Sequence, residues 1–214
     1  MGLHASKLTA YTYDSKVTVS TFESPSPESA PKKAYHHGDL RAALVEAGLK
    51  LLETRTADDL SLREVARAVG VSATAVYRHF PDKGALMTAL AGEGLARLAT
   101  AQHAASDAAG GGVAGFSATG AAYVRFALAN PALFRLIFAN PQAIPAYPDH
   151  HDDDAMTFLR TNAALVAEGK GGDAQVIALQ AWALVHGLAM LMLDGQVPVD
   201  DALIDRVIDV RAIG

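Results

Sequence analysis

The chain has 214 residues, of which 50% are apolar, 7% aromatic and 19% charged. That is apolar mass for one or two domains with real cores, and it excludes global disorder. Net charge is −5 and cysteine is absent, which excludes disulfide frameworks, thiolate zinc sites and cysteine nucleophiles. The lack of thiols fits a reducing cytoplasm, the expected location. The acidity is uneven: residues 1–34 carry +1, residues 35–98 zero and residues 99–214 −6. A neutral N-terminal half can still turn one basic face toward a polyanion.

Residues 1–16 have no apolar run and no cleavage motif of the kind a signal peptide needs. Residues 1–34, ending in SPSPESAPKK, are rich in Ser, Thr and Pro and read as a flexible arm. Lys32 and Lys33 could follow a polyanion from that arm, in a salt-sensitive way. His36 and His37 are at most exposed neighbours of a phosphate.

From Gly38 onward the pattern is helical. Leu40, Leu44, Ala47 and Leu51 recur at helical spacing and predict one helix, starting at Gly38 or Asp39 and ending in the Thr54–Asp59 stretch. Ser61-Leu62-Arg63-Glu64 is a capping-box sequence and opens a second, short helix that Gly70 stops after Val69. Ser72 caps a third helix, expected over Ala73–Phe80. Pro81-Asp82 starts a fourth that turns Leu86, Leu90, Ala91 and Leu95 inward. After a Gly/Ala-rich break at Ala108–Gly115, helices are expected over Phe116–Ala129, Pro131–Asn140, Asp153–Glu168, Asp173–Asp194 and Val199–Val210. No strand-like run and no repeat appears after residue 35, so the fold class is all-α. The most lipid-like stretch, Val176–Leu193, is interrupted by Gln180, His186 and Gly187 and reads as a buried helix rather than a membrane span.

Two short helices joined at Gly70 describe a helix-turn-helix. Val65, Ala66, Val69, Val71, Val76 and Phe80 supply its apolar contacts. The other face of the third helix presents Ala73, Thr74, Ala75, Tyr77, Arg78 and His79. Small residues at its start let the backbone approach base edges in a major groove. Thr74 and Tyr77 can hydrogen-bond to phosphates or bases, and Ser61, Arg63 and Lys83 are placed for phosphates, Arg63 also within reach of a guanine. Such pairs also occur as ordinary packing units, so the motif alone leaves a structural reading open.

Leu60–Leu90, LSLREVARAVGVSATAVYRHFPDKGALMTAL, resembles the DNA-binding domain of TetR-type (TetR/AcrR) transcriptional regulators. VYRHFPDK, Val76–Lys83, is its most diagnostic string, and the likeness covers roughly residues 36–90. The resemblance implies a dimeric all-α repressor: a helix-turn-helix domain over 35–82 followed by an effector-binding and dimerisation domain over 83–214. It implies backbone contacts from Tyr77, His79 and Lys83, and base contacts from Ala73, Thr74 and Ala75. Ala73 and Ala75 carry little information for bases, which shifts readout toward Arg63, Thr74, Arg78 and DNA shape. Trp182–Gly187, a W-x-x-x-H-G string, and Tyr123–Phe138, YVRFALANPALFRLIF, resemble one branch of that family in its C-terminal half. The expected partners are palindromic operator DNA, a second copy joined through Asp173–Asp194 and Val199–Val210, and an unidentified small-molecule effector. Neither a membrane nor a cofactor is expected.

Phe116, Tyr123, Phe126, Phe134, Phe138, Trp182 and His186 are the candidate effector residues, since an aromatic cavity between helices suits a small ligand. The competing reading is a filled core. Trp182, His186 and Met190 share one helix face. His186 either donates to an effector or is satisfied in the core by a carbonyl or carboxylate, the reading favoured here. His150-His151-Asp152-Asp153-Asp154 holds metal-ligand types, yet adjacent loop residues rarely converge on one ion, and the aspartates suit a helix N-terminus; no metal site is expected. No phosphate loop, nucleophile elbow or H-E-x-x-H string is present, so catalysis is not expected. Two rivals survive: an adaptor whose motif no longer touches DNA, and a small-molecule sequestering protein.

Overall fold

A computed structural model of the chain describes residues 40–139, 155–170 and 172–209. The described helices are α1 (Leu40–Leu52), α2 (Leu62–Val69), α3 (Ala73–Tyr77), α4 (Lys83–Ala108), α5 (Gly112–Ala129), α6 (Pro131–Ala139), α7 (Ala155–Lys170), α8 (Ala174–Leu193) and α9 (Asp201–Ile208), with no strand among the described residues. The fold is all-α, as the periodicity predicts. The expected arm 1–34 and the His150–Asp154 cluster lie outside the described residues.

Two boundaries differ from expectation by more than two residues. α3 ends at Tyr77 rather than Phe80. Phe80 precedes Pro81, whose ring disfavours helical backbone at the residue before it, and the turn drops the Phe80 ring into the core with the Arg41 guanidinium 5.3 Å from its centroid. α5 begins at Gly112, inside the expected break. Gly110 and Gly111 reverse the chain in left-handed backbone (φ 80° and 73°), so only two residues beyond Ala109 are needed before helix resumes.

α4 is the spine, packing against α1, α5, α6 and α7. The first apolar cluster joins α1, α2, α3 and the first turns of α4 to α6, through Leu44, Val65, Val76, Leu86, Leu90 and Ile137. Close approach is built in at Gly94, where a Cβ would stand 2.7 Å from Leu133 Cδ1. A second cluster joins Leu98 of α4 and Tyr123 of α5 to α6, α8 and α9, and a third, smaller one holds Phe116, Ala163, Val166 and Ala178. α5 and α6 meet at 107° across Asn130, whose side chain donates to the Phe126 carbonyl at 3.0 Å, while Pro131 takes a first-turn position that needs no amide donor.

Candidate nucleic-acid interface and effector site

The reading head is set by three local devices. Ser61 accepts from the Glu64 amide (3.3 Å) and its hydroxyl donates to the Glu64 carboxylate (3.0 Å). Arg55 completes the arrangement by pairing with Glu64, and Arg55 first, then Ser61, holds that carboxyl below its usual range. Gly70 then sits in left-handed backbone (φ 77°). Its amide donates to Arg67 O (3.2 Å) and that of Val71 to Ala66 O (3.0 Å), the paired bonds of a Schellman end. Ser72 finally caps α3 by accepting from the Ala75 amide at 3.2 Å.

These devices fix which side chains are free. Val76 and Phe80 are buried, whereas Thr74, Tyr77, Arg78 and His79 are exposed and Ala73 and Ala75 half-buried. Thr74, Tyr77 and Arg78 stand at i, i+3 and i+4, hence on one face. Arg63 is exposed on α2. Lys83 is half-buried, and its ammonium donates to the Asp58 carbonyl at 2.6 Å, tying the α1–α2 loop to the start of α4 and leaving two further donors. The first turn of α4 is not an open anion site, because the Asp82 carboxylate accepts from the Ala85 amide at 2.8 Å. Arg55 escapes sequence reasoning: it falls in an expected loop, nine positions from Glu64.

Four of the seven candidate effector residues form a box around a fifth, His186. Ring centroids lie 4.7 Å (Phe138), 5.6 Å (Phe134), 6.3 Å (Tyr123) and 6.4 Å (Trp182) from the imidazole. Phe116 stands apart in the third cluster, and Phe126 packs, partly buried, between the first and second. The partner of His186 is neither the carbonyl nor the carboxylate expected but a phenol: Tyr123 Oη lies 2.9 Å from Nδ1. Trp182 Nε1 donates to the same oxygen at 3.4 Å, and the Tyr123 hydroxyl, with one donor and two lone pairs, can satisfy both partners at once. Burial pushes the Tyr123 phenol well up and the imidazole down, so both are neutral near pH 7.

Away from the box, a groove of about 400 Å³ runs between α1, α4 and the α5–α6 corner and touches no candidate effector residue. Arg97 lines it and pairs with Glu46 of α1 and, at 3.0 Å, with Glu93. Among the described residues no group of three or more His, Asp or Glu is arranged to hold a metal ion.

A short helix pair locked by a Schellman turn, carried at the head of a larger helical domain, defines a helix-turn-helix regulator. Residues 44–90 match the family described as "Bacterial regulatory proteins, tetR family", and residues 116–210 match "Tetracyclin repressor-like, C-terminal domain". Among solved structures, a protein with unknown function from Rhodococcus sp. RHA1 is 33% identical, with 85% of this chain and 95% of that one aligned at a TM-score of 0.66. A TetR family transcription regulator from Marinobacter aquaeolei VT8 (18% identity, 80% and 93% covered, TM-score 0.57) and a tetR-family transcriptional regulator from Streptomyces coelicolor (19%, 81% and 78%, 0.57) share the fold. No curated protein matches. The chain belongs to the TetR family of transcriptional regulators.

Proposed function

We propose that the chain is a homodimeric cytoplasmic repressor that binds palindromic operator DNA and is released by a small-molecule effector. The observation that carries this reading is the exposed Thr74–Tyr77–Arg78 face of a capped α3 whose other side is anchored by buried Val76 and Phe80. Thr74, Arg78 and Arg63 read bases, with Ala73 and Ala75 allowing close approach. Ser61, Tyr77, His79 and Lys83 contact phosphates and set the register. Residues 35–82 serve as the DNA-binding domain and residues 83–214 as the effector and dimerisation domain, of the W-x-x-x-H-G branch.

α4 links the two activities. It runs 26 residues, about 39 Å at 1.5 Å per residue, from Leu86 and Leu90 under the reading head to Leu98 beside Tyr123. An effector held among Phe116, Tyr123, Phe126, Phe134, Phe138, Trp182 and His186 tilts this lever. The two heads then no longer match half-sites roughly 34 Å apart.

The test is selection of bound DNA from a random pool, followed by affinity measurements across a salt series. An enriched palindrome that Tyr77→Ala binds on the order of ten-fold more weakly is expected, the value of one lost hydrogen bond. Absence of enrichment at low salt, after unfolding and refolding to strip any bound effector, overturns the operator-reading role.

A further inference from the structure

The buried polar side chains of the described core are four: Gln102, Ser106, Thr119 and Asn162. All lie on three helices packed against one another, α4, α5 and α7. Ser106 faces Gly115, where a Cβ would stand 2.6 Å from its hydroxyl oxygen. α4 and α5 are antiparallel neighbours joined by a tight turn, so one turn back along α4 and one turn on along α5 bring Gln102 level with Thr119. On α7, the Phe158 ring lies 4.0 Å from that of His103, next to Gln102, and Asn162 comes one turn later. Along α5 this polar level falls between Tyr123 of the aromatic box and Phe116 of the third cluster.

Three of the four have local explanations. Thr119 donates to its own helix at Gly115 O (2.7 Å), Asn162 donates to Phe158 O (2.8 Å), and Ser106 supplies the small side chain that close approach of Gly115 requires. Gln102 has none. It is only 6% exposed, and its Oε1 is fully buried without a hydrogen-bond partner. A buried acceptor in that state carries a desolvation cost that a leucine of similar size would not.

We propose that Gln102 is the hydrogen-bonding anchor of the effector site, and that the effector is an apolar, ring-sized molecule presenting a neutral hydroxyl or N–H donor to its Oε1. The one donor of Thr119 is spent on its own helix, as is one of the two N–H groups of Asn162, so the Thr119 oxygen is an acceptor too. No Asp or Glu is buried among the described residues, so the site offers no counter-charge for an ammonium, and a neutral donor is the fitting group. The effector's body would meet the aromatic side chains on either side of this level. The proposal rests on the reading of the chain as an effector-released regulator.

Two probe pairs test it on the intact protein: phenol against its methyl ether anisole, and indole against N-methylindole. Each methylation removes the donor and keeps the ring. Nitrogen-15 spectra of the wild type should show phenol and indole shifting the Gln102 carboxamide resonances, with roughly ten-fold weaker binding of the methylated partners. Gln102→Leu, checked for folding by circular dichroism, should lose the preference. The wild-type comparison needs no variant, so a failure of Gln102→Leu to fold does not blunt it. Equal binding within each pair, no response at Gln102 up to the probes' solubility, or an unchanged preference in Gln102→Leu overturns the proposal and leaves a buried water as the partner of Oε1. Operator selection on the same wild-type sample separates this failure from failure of the regulator reading: an enriched palindrome without donor preference sinks only the anchor.

Discussion

The Tyr123 hydroxyl connects α5 to α8: it accepts from Trp182 Nε1 and shares a hydrogen bond with His186 Nδ1. Burial disfavours the charged imidazole and holds His186 below its ordinary value of 6.5. Between the folded and unfolded pKa the unfolded chain binds more protons, so the stability this site contributes is present above pH 6.5 and is lost as pH falls toward the folded value. Asp59 and Glu64 are also depressed, but from 3.8 and 4.5, so their losses fall in a lower window. Urea denaturation between pH 7 and 5 should therefore show declining stability, and His186→Gln should flatten that decline; an unchanged slope would remove His186 as its source. The residues of this box are individually legible from their spacing in sequence. The bond between them is not, because it joins positions 63 apart, and no local pattern encodes which of two faces meets. Gln102 is illegible for a related reason: one amide in an otherwise alternating helix looks like surface until a facing helix covers it.

At the scale of elements, α3 is the most dependent on its surroundings. Five residues are far too few for an isolated helix to persist in water, so it is held by its cap, by buried Val76 and by the turn that buries Phe80. Replacing Ser72 with Ala removes the oxygen that accepts from Ala75 N and should cost about 1 kcal/mol, with Ser72→Gly costing only a few tenths. Thermal or urea unfolding measures both, and operator affinity should fall in the same order, because Thr74 and Tyr77 keep their orientation only while α3 is formed. Equal stability of wild type and Ser72→Ala would mean that tertiary packing alone holds the helix. The caps at Ser61, Gly70 and Ser72 are legible because each is a side-chain or backbone requirement met within three or four residues. The end of α3 and the start of α5 are harder to read. In the first, a buried phenylalanine before a proline outweighs helical periodicity; in the second, glycines that look like a break make a two-residue reversal.

For the molecule as a whole, α8 poses the sharpest question, since its sequence reads as a buried helix. In the single chain only 28% of its most apolar window is buried. It is also the one described helix long and apolar enough by itself to cross a membrane; in the fold it packs on α5, α7 and α9 instead. The uncovered positions form a stripe at helical spacing: Val176, Leu179, Ala183 and Leu191 are exposed, and a Cβ at Gly187 would meet nothing within 4 Å. Apolar flanks with small residues at the centre are what a second helix needs to approach closely, and an apolar stripe this long is costly to leave in water. Two substitutions separate the roles of this stripe. Leu179→Glu places a charge where the partner would sit and should give a monomer in sedimentation equilibrium, with operator affinity lost because two half-sites are no longer read together. Gly187→Ala adds about 1 kcal/mol of helix propensity and has free space in the single chain, so a monomer would become more stable. Within a dimer the same methyl meets the partner helix, and the dimer dissociation constant should rise while monomer helicity rises with it. A wild type that sediments as a monomer at every concentration, together with a Gly187→Ala variant that is simply more stable, would remove α8 as the dimer interface.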